Sequence, residues 1–193
     1  MSFTLADAQT GNGEFLAAAR EAGHDVFGID FSKAAAEACA RRGIDAVAAD
    51  FLTHDFGPRA PRDLVTLWDV CEHLERPFAF VRRAREVLAP GGWLVLKVPC
   101  FTPRGMWIAS HVPRVAGALL GSPSHIQYFR PEGLTLMLRR AGFRLVQVQE
   151  TAPMRGQGAT TSPPALAKRR LLHELGRFAR NANTLVRAQV GEA

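Results

Sequence analysis

The chain has 193 residues, 47% of them hydrophobic and 22% charged, which is the make-up of a protein able to bury a core and excludes a disordered chain. Its net charge of +6 invites a nucleic-acid reading, but 21 of the 24 basic residues are Arg, and the pairs Arg41-Arg42, Arg82-Arg83 and Arg139-Arg140 fall on polar faces of predicted helices without interleaved aromatic residues. Solvated helix faces are expected there, with no nucleic-acid partner, and no apolar run reaches the roughly 18 residues that a membrane-spanning helix needs.

In chain order, residues 2–8 form the first predicted strand. Residues 13–22 carry Phe15, Leu16 and Ala19 at helical spacing and stop at Gly23, ahead of a strand over 25–30. The unit then repeats: Ser32 caps a helix over 33–42, Gly43 ends it, and 46–49 is a third strand. Residues 63–69 make a fourth. Pro77 opens a helix running to Leu88, with Phe80, Val81, Ala84 and Val87 on its apolar stripe, and Pro90-Gly91-Gly92 breaks it. Residues 93–98 follow as an apolar run interrupted only by Lys97, as in a strand buried on both faces.

Prolines and glycines break the rhythm over 101–124, where an inserted lid with a helix over 106–120 is expected. A helix over 131–141 and an alternating edge strand over 143–150 come next. The Gly-, Pro-, Ser- and Thr-rich tract 151–164 reads as a mobile loop, 165–180 as a basic amphipathic helix and 184–190 as a last strand. The alternation predicts an α/β protein with a Rossmann-like, mostly parallel sheet, helices on both faces and an antiparallel strand near the carboxyl-terminal edge, in one domain over 1–193. Cys39, Cys71 and Cys100 lack a Cys-x-x-Cys pairing and read as reduced, partly buried thiols; with no leader at the start, a cytoplasmic location is expected.

Ligands of parallel sheets bind beyond the carboxyl ends of the strands, so functional residues are sought there. Residues 7–13 follow the first strand, Asp30 ends the second, Asp50 the third, and 69–73 the fourth. The run Asp7-Ala8-Gln9-Thr10-Gly11-Asn12-Gly13-Glu14-Phe15-Leu16 resembles the first motif of class I S-adenosylmethionine-dependent methyltransferases. Glycine at such turns leaves room for backbone to approach a ligand, and the following helix offers free N–H groups. Asp30 after Val26-Phe27-Gly28-Ile29 resembles the family's ribose-binding acid, and Asp50-Phe51 its adenine-contacting pair. Trp68-Asp69-Val70-Cys71-Glu72-His73-Leu74 and Val87-Leu88-Ala89-Pro90-Gly91-Gly92-Trp93-Leu94 resemble its fourth- and fifth-strand blocks.

The likeness covers about residues 5–150 and is nearest to small-molecule methyltransferases of the ubiquinone-pathway O-methyltransferase group. It implies S-adenosylmethionine as cofactor, held by Asp7, Gln9, Thr10, Gly11, Asn12, Gly13, Asp30, Phe31, Ser32, Asp50, Phe51, Asp69 and Val70. It also implies methyl transfer to a small-molecule acceptor, with O-methylation favoured. A roof of Phe101, Met106, Trp107, Ile108 and Tyr128 suits an apolar or aromatic acceptor, and the same residues would equally fill a core.

For the chemistry, His73, Glu72 and His125 are the candidates, with a histidine as general base. Two alternatives stay open: Glu72-His73 caps the next segment, or Asp69, Glu72, His73 and His125 hold a divalent cation, as the resemblance to small-RNA 2′-O-methyltransferases implies. No metal is favoured. His24, His54 and His173 read as solvated, and His111 as a reserve.

Two departures from the family lie at the amino end. Gln9 stands where the first motif glycine is usual, and the chain starts almost on its first strand, as an amino-terminal truncation would leave it. These make a second reading concrete: a methyltransferase-like module that binds a partner or ligand without catalysis. A nicotinamide-dependent oxidoreductase is set aside because Leu16 occupies the last glycine position of that fingerprint.

Overall fold

The computed structural model describes residues 2–101, 103–112, 124–151 and 182–191. Strands β1 (Thr4–Ala8), β2 (Asp25–Asp30), β3 (Ala46–Ala48), β4 (Arg62–Trp68), β5 (Leu88–Cys100), β6 (Phe143–Thr151) and β7 (Ala182–Val190) form one sheet of order β3-β2-β1-β4-β5-β7-β6. All neighbouring pairs are parallel as far as β5; β7 then runs antiparallel to both β5 and β6. The order reverses between β1 and β4, and a crevice opens at such a switch point because the flanking crossovers leave in opposite directions.

The helices are α1 (Glu14–Glu21), α2 (Lys33–Arg41), α3 (Pro77–Val87), α4 (Pro103–His111) and α5 (Pro131–Arg140). Side chains alternate between faces along a strand, so β1 sends Leu5 to one side and Ala6 to the other. Leu5 joins Leu16, Ala19, Val26, Cys39 and Ile44 in a small cluster with α1 and α2. Ala6 joins the larger cluster, where Val65, Leu67, Leu94 and Leu96 meet Phe80, Val81 and Ala84 of α3 and Leu134 and Leu138 of α5. Each fully buried Leu or Phe contributes about 1.5–3 kcal/mol, so these faces hold the helices to the sheet.

The break expected at Pro90-Gly91-Gly92 does not delay β5. The chain leaves α3 directly into the strand, where Leu88 pairs with Arg62, and the register then shifts so that Trp93 opposes Leu64. Gly91, at φ +76°, turns the excess residues out of the ladder without ending it. The lid expected over 101–124 contains α4, with the rest of its predicted helix, residues 113–120, outside the described residues. Thr151 ends β6, while the remainder of the 151–164 tract, the 165–180 helix and His173 also lie outside them.

Candidate active site

The loop after β1 is shaped by main-chain groups. The Gln9 N–H donates to the Ile29 carbonyl at 2.7 Å and that of Gly13 to Thr10 at 2.9 Å, while Gln9, Gly11 and Gly13 all take left-handed φ, at +71°, +52° and +72°. Open space surrounds the position of a Cβ on Gly11, so backbone conformation alone asks for glycine there. At Gly13 the demand comes from inside: a Cβ would lie 2.8 Å from Cys39 Sγ and 3.2 Å from Ile44 Cδ1. The glycine expected to make room for a ligand makes room for α2. Gly13 is the N-cap of α1 and offers no side-chain cap, which leaves first-turn N–H groups for another partner.

Asp30, at the end of β2, ties this loop to the next one. One carboxylate oxygen accepts from the Gly11 N–H at 3.1 Å and the other from Ser32 at 2.8 Å, while the Ser32 hydroxyl caps α2 at Ala35. Phe31 beside it is 58% exposed. Asp7 is buried at the end of β1 and accepts from the Thr66 hydroxyl at 2.6 Å. Burial pushes its carboxyl up to about 7; the Thr66 hydrogen bond opposes this and the charge of Asp30 adds to it.

A cavity of about 490 Å³ opens at the ends of β1, β4 and β5. Its walls contain Asp7, Gln9, Thr10, Gly11, Asn12 and Asp69 from the predicted set, and also Glu14, Phe15, Trp68 and Lys97. Phe15 and Trp68 meet edge to face at 5.1 Å. Asp69 holds φ +53°; its N–H donates to the Lys97 carbonyl at 2.9 Å and its carboxylate pairs with Lys97 Nζ at 2.5 Å. The one sequence signal for Lys97 was its interruption of an apolar strand. Phe15 and Trp68 gave no signal separable from core packing.

Several predicted cofactor residues stand off this cavity. Gly13, Asp30, Phe31, Ser32 and Asp50 lie outside its walls, and the Asp50 carboxylate accepts from the Leu52 N–H at 2.8 Å. Phe51 is turned into the core, 2% exposed and stacked on Phe80 at 5.5 Å, because its ring completes the aromatic layer over α3. Val70 is likewise buried in the core.

After Asp69 the chain makes a 3-10 turn over Cys71–His73. The Glu72 carbonyl accepts from the N–H groups of Ile126 and Gln127 at 2.9 and 3.0 Å, and His73 Nδ1 donates to the Ser124 carbonyl at 2.7 Å. These bonds bring His125 over His73, with ring centroids 4.9 Å apart. Glu72, His73 and His125 thereby place one possible ligand atom each within 4.8 Å of one another. Asp69 stands apart from that trio, engaged with Lys97. Burial holds the Glu72 carboxyl above its ordinary range; its own backbone hydrogen bond opposes this, Asp69 adds to it, and His73 and Lys97 oppose it.

The other candidates resolve as follows. His54 is not a solvated loop residue: its ring stacks on Phe27 at 5.9 Å and meets Phe56 at 5.1 Å, with Arg83 donating to its carbonyl. His24 accepts from the Phe3 N–H, and His111 stacks on Trp107 of α4 at 4.5 Å. Phe101 is buried against Tyr128, whereas Trp107 is 61% exposed. The three thiols are buried and outside any disulfide, with Cys71 pushed up to about 12 by burial and by Glu72, which leaves it inert. No helix among the described residues is long and apolar enough to cross a membrane.

A family model described as a methyltransferase domain matches residues 5–148. The ubiquinone biosynthesis O-methyltransferase of Bordetella avium (strain 197N) is 26% identical over 160 residues, 78% of this chain and 63% of that protein, so the chain spans less than two thirds of that relative's length. Among solved structures, a SAM-dependent methyltransferase from Archaeoglobus fulgidus superposes with a TM-score of 0.67 at 20% identity, over 96% of this chain and 85% of its own. The 1,6-didemethyltoxoflavin-N1-methyltransferase of Burkholderia thailandensis, solved with bound 1,6-didemethyltoxoflavin and S-adenosylhomocysteine, does so at 0.64 and 17%, over 99% and 72%. Sheet order, strand-end acids and the extent of the family match agree: the chain belongs to the class I S-adenosylmethionine-dependent methyltransferase family.

Proposed function

We propose that this chain transfers the methyl group of S-adenosylmethionine to an oxygen of a small, apolar or aromatic acceptor, with His73 as general base. The observation that carries the reading is the hydrogen bond from His73 Nδ1 to the Ser124 carbonyl. A carbonyl only accepts, so Nδ1 holds the proton and Nε2 is left as the base on an exposed ring. Glu72 and His125 stand beside it, so Nε2 would receive the acceptor's hydroxyl proton within a polar cluster.

The residues fit the cofactor. A cavity of about 490 Å³ lies within the range of cofactor sites, roughly 300–1,000 Å³, and sits at the switch point of the sheet. Asp30 keeps lone pairs beyond those used by Gly11 and Ser32, enough to accept from ribose hydroxyls. With Phe51 in the core, exposed Phe31 supplies the apolar surface for the base, and Asp50 has an oxygen left for its amine. S-adenosylmethionine supplies the electrophilic sulfonium methyl.

Calorimetric titration with S-adenosylhomocysteine tests the cofactor, and absence of saturable binding at millimolar ligand sinks the reading. Transfer of a labelled methyl group to phenols and catechols tests the chemistry, and His73→Ala is expected to lower it about 10²- to 10⁴-fold. Binding without turnover on any acceptor would favour the non-catalytic module.

One observation favours a second reading, in which Glu72, His73 and His125 hold a divalent cation: their ligand atoms converge within 4.8 Å, although burial favours the neutral form of Glu72. A cation would reverse that preference by pairing with the carboxylate. Turnover abolished by a chelator and restored by Mg²⁺ or Mn²⁺ would select this arrangement over metal-free base catalysis.

A further inference from the structure

We propose that the chain forms a two-fold symmetric dimer, in which the outer face of α5 packs antiparallel against the same face of a second copy, beside the open edge of β6. The inference is independent of the cofactor reading, because it concerns the far edge of the sheet.

β6 ends the sheet order, with β7 on one side and no strand on the other among the described residues. Such an edge leaves a row of backbone N–H and C=O groups unpaired. A groove of about 400 Å³ lies between α5 and β6, lined by Pro131, Glu132, Thr135, Leu136, Arg139 and Val148. α5 buries Leu134 and Leu138 in the core, and Leu136 between them falls on another face of the helix, 51% exposed, with Val148 at 39%. One exposed leucine is ordinary by itself. The charges around it select the occupant.

Glu132, Thr135, Leu136 and Arg139 stand at i, i+3, i+4 and i+7, the spacing that lines up one face of a helix. The acid lies at one end, the base at the other, and threonine and leucine at the centre. Both charged residues are exposed, and neither is in an ion pair among the described residues. The seven residues between them span about 10.5 Å along the helix. When a second α5 is turned through 180° about an axis between Thr135 and Leu136, each Glu132 comes opposite the other copy's Arg139. The two Leu136 side chains then meet at the axis. A contact of this isologous kind requires a surface complementary to itself, which a face of one charge sign would not supply. Thr135 already donates its hydroxyl to the Pro131 carbonyl at 2.8 Å, so its donor is satisfied before the centre is covered.

One helix face and one strand edge make a small contact, so a reversible dimer of roughly micromolar affinity is expected. No residue lining this groove lines the cavity at β1, β4 and β5, so the dimer leaves that cavity free.

Sedimentation velocity from about 1 to about 200 µM tests the proposal, and wild type is expected to pass from monomer to dimer within that range. Leu136→Arg is expected to weaken the dimer at least about 10-fold, with an unchanged circular dichroism melt because the side chain is half exposed. Glu132→Arg and Arg139→Glu each place like charges at both contacts and are expected to weaken self-association about 10-fold. Mixed in equal amounts, these two variants carry opposite charges at both contacts, and the mixture is expected to regain wild-type affinity. A general loss of stability would not produce that rescue. Wild type that stays monomeric throughout, or a dimer indifferent to all three substitutions, would overturn the proposal. So would single variants that remain weak when mixed, because the antiparallel pairing of α5 requires the rescue. Hydrogen exchange that protects α5 equally at every concentration in a monomeric wild type would overturn it in favour of a cover from residues 152–181 of the same chain.

Discussion

Around the ends of β1 and β2 the site is held by main-chain groups, whereas around β4 and β5 it is held by side chains and by chain segments far apart. In the first region Gly11, Ser32 and Gln9 each spend a backbone N–H on fixing the loop, and Asp30 bridges two loops through such groups. In the second, Asp69 meets Lys97 across two strands, and Glu72 and His73 are tied to residues 124–127. Substitution in the first region should therefore act on folding, because backbone geometry and packing are disturbed together. In the second, substitution of the exposed His73 should act on chemistry, because an exposed polar group adds little to stability, whereas the buried Lys97 and Glu72 also bear on the fold.

The largest effect that sharpens this contrast concerns Asp7. Its folded-state pKa of about 7 lies above the ordinary 3.8, so the folded form holds the proton more tightly and stability falls as pH rises from about 4 to about 7, then levels off. Asp7→Asn keeps the Thr66 contact and removes that loss. Its stability advantage over wild type should grow from near zero at pH 4 to as much as about 4 kcal/mol at pH 8. Denaturant melts at the two pH values check this, and a pH-independent difference would break it.

Next in size is Gly13→Ala, which combines left-handed backbone with a Cβ 2.8 Å from Cys39 Sγ and should cost about 2–3 kcal/mol. In a Cys39→Ala background the cost should fall to the backbone part alone, about 1–2 kcal/mol. A double-mutant cycle without coupling would show that the contact with α2 is not what requires glycine.

Gln9→Gly tests the same loop from the other side. Relief of the +71° φ should stabilise the fold by about 1 kcal/mol, partly offset by chain entropy, and a lower melting temperature would contradict a strained Gln9.

The smallest stability effect belongs to the second region. His73→Ala removes an exposed ring with one hydrogen bond, so it should shift stability by less than about 1 kcal/mol while methyl transfer collapses. A loss of several kcal/mol would make His73 a structural cap and erase the contrast between the regions.

Much of the framework was legible in the chain. Strands alternating with capped, glycine-terminated helices yielded the parallel part of the sheet, and of the strand-end acids Asp7 and Asp69 fall at the cavity. The cavity wall was only partly legible. Asp7, residues 9–12 and Asp69 reach it, but Phe51 looked like a base-packing ring and went to the core, and His54 looked solvated and went between two Phe rings. An isolated aromatic residue in a loop carries the same pattern whether it packs inward or faces a ligand.

Sequence alone determined the elements, their order and the positions where glycine and aspartate punctuate them, because periodicity, capping and turn chemistry act over a few residues. Tertiary structure decided that Lys97 on β5 meets Asp69 after β4, that Phe15 and Trp68 share a wall, and that His125 folds back over His73. These depend on strand register and on a connection some fifty residues long, and contacts across such distances leave no local pattern in a single chain.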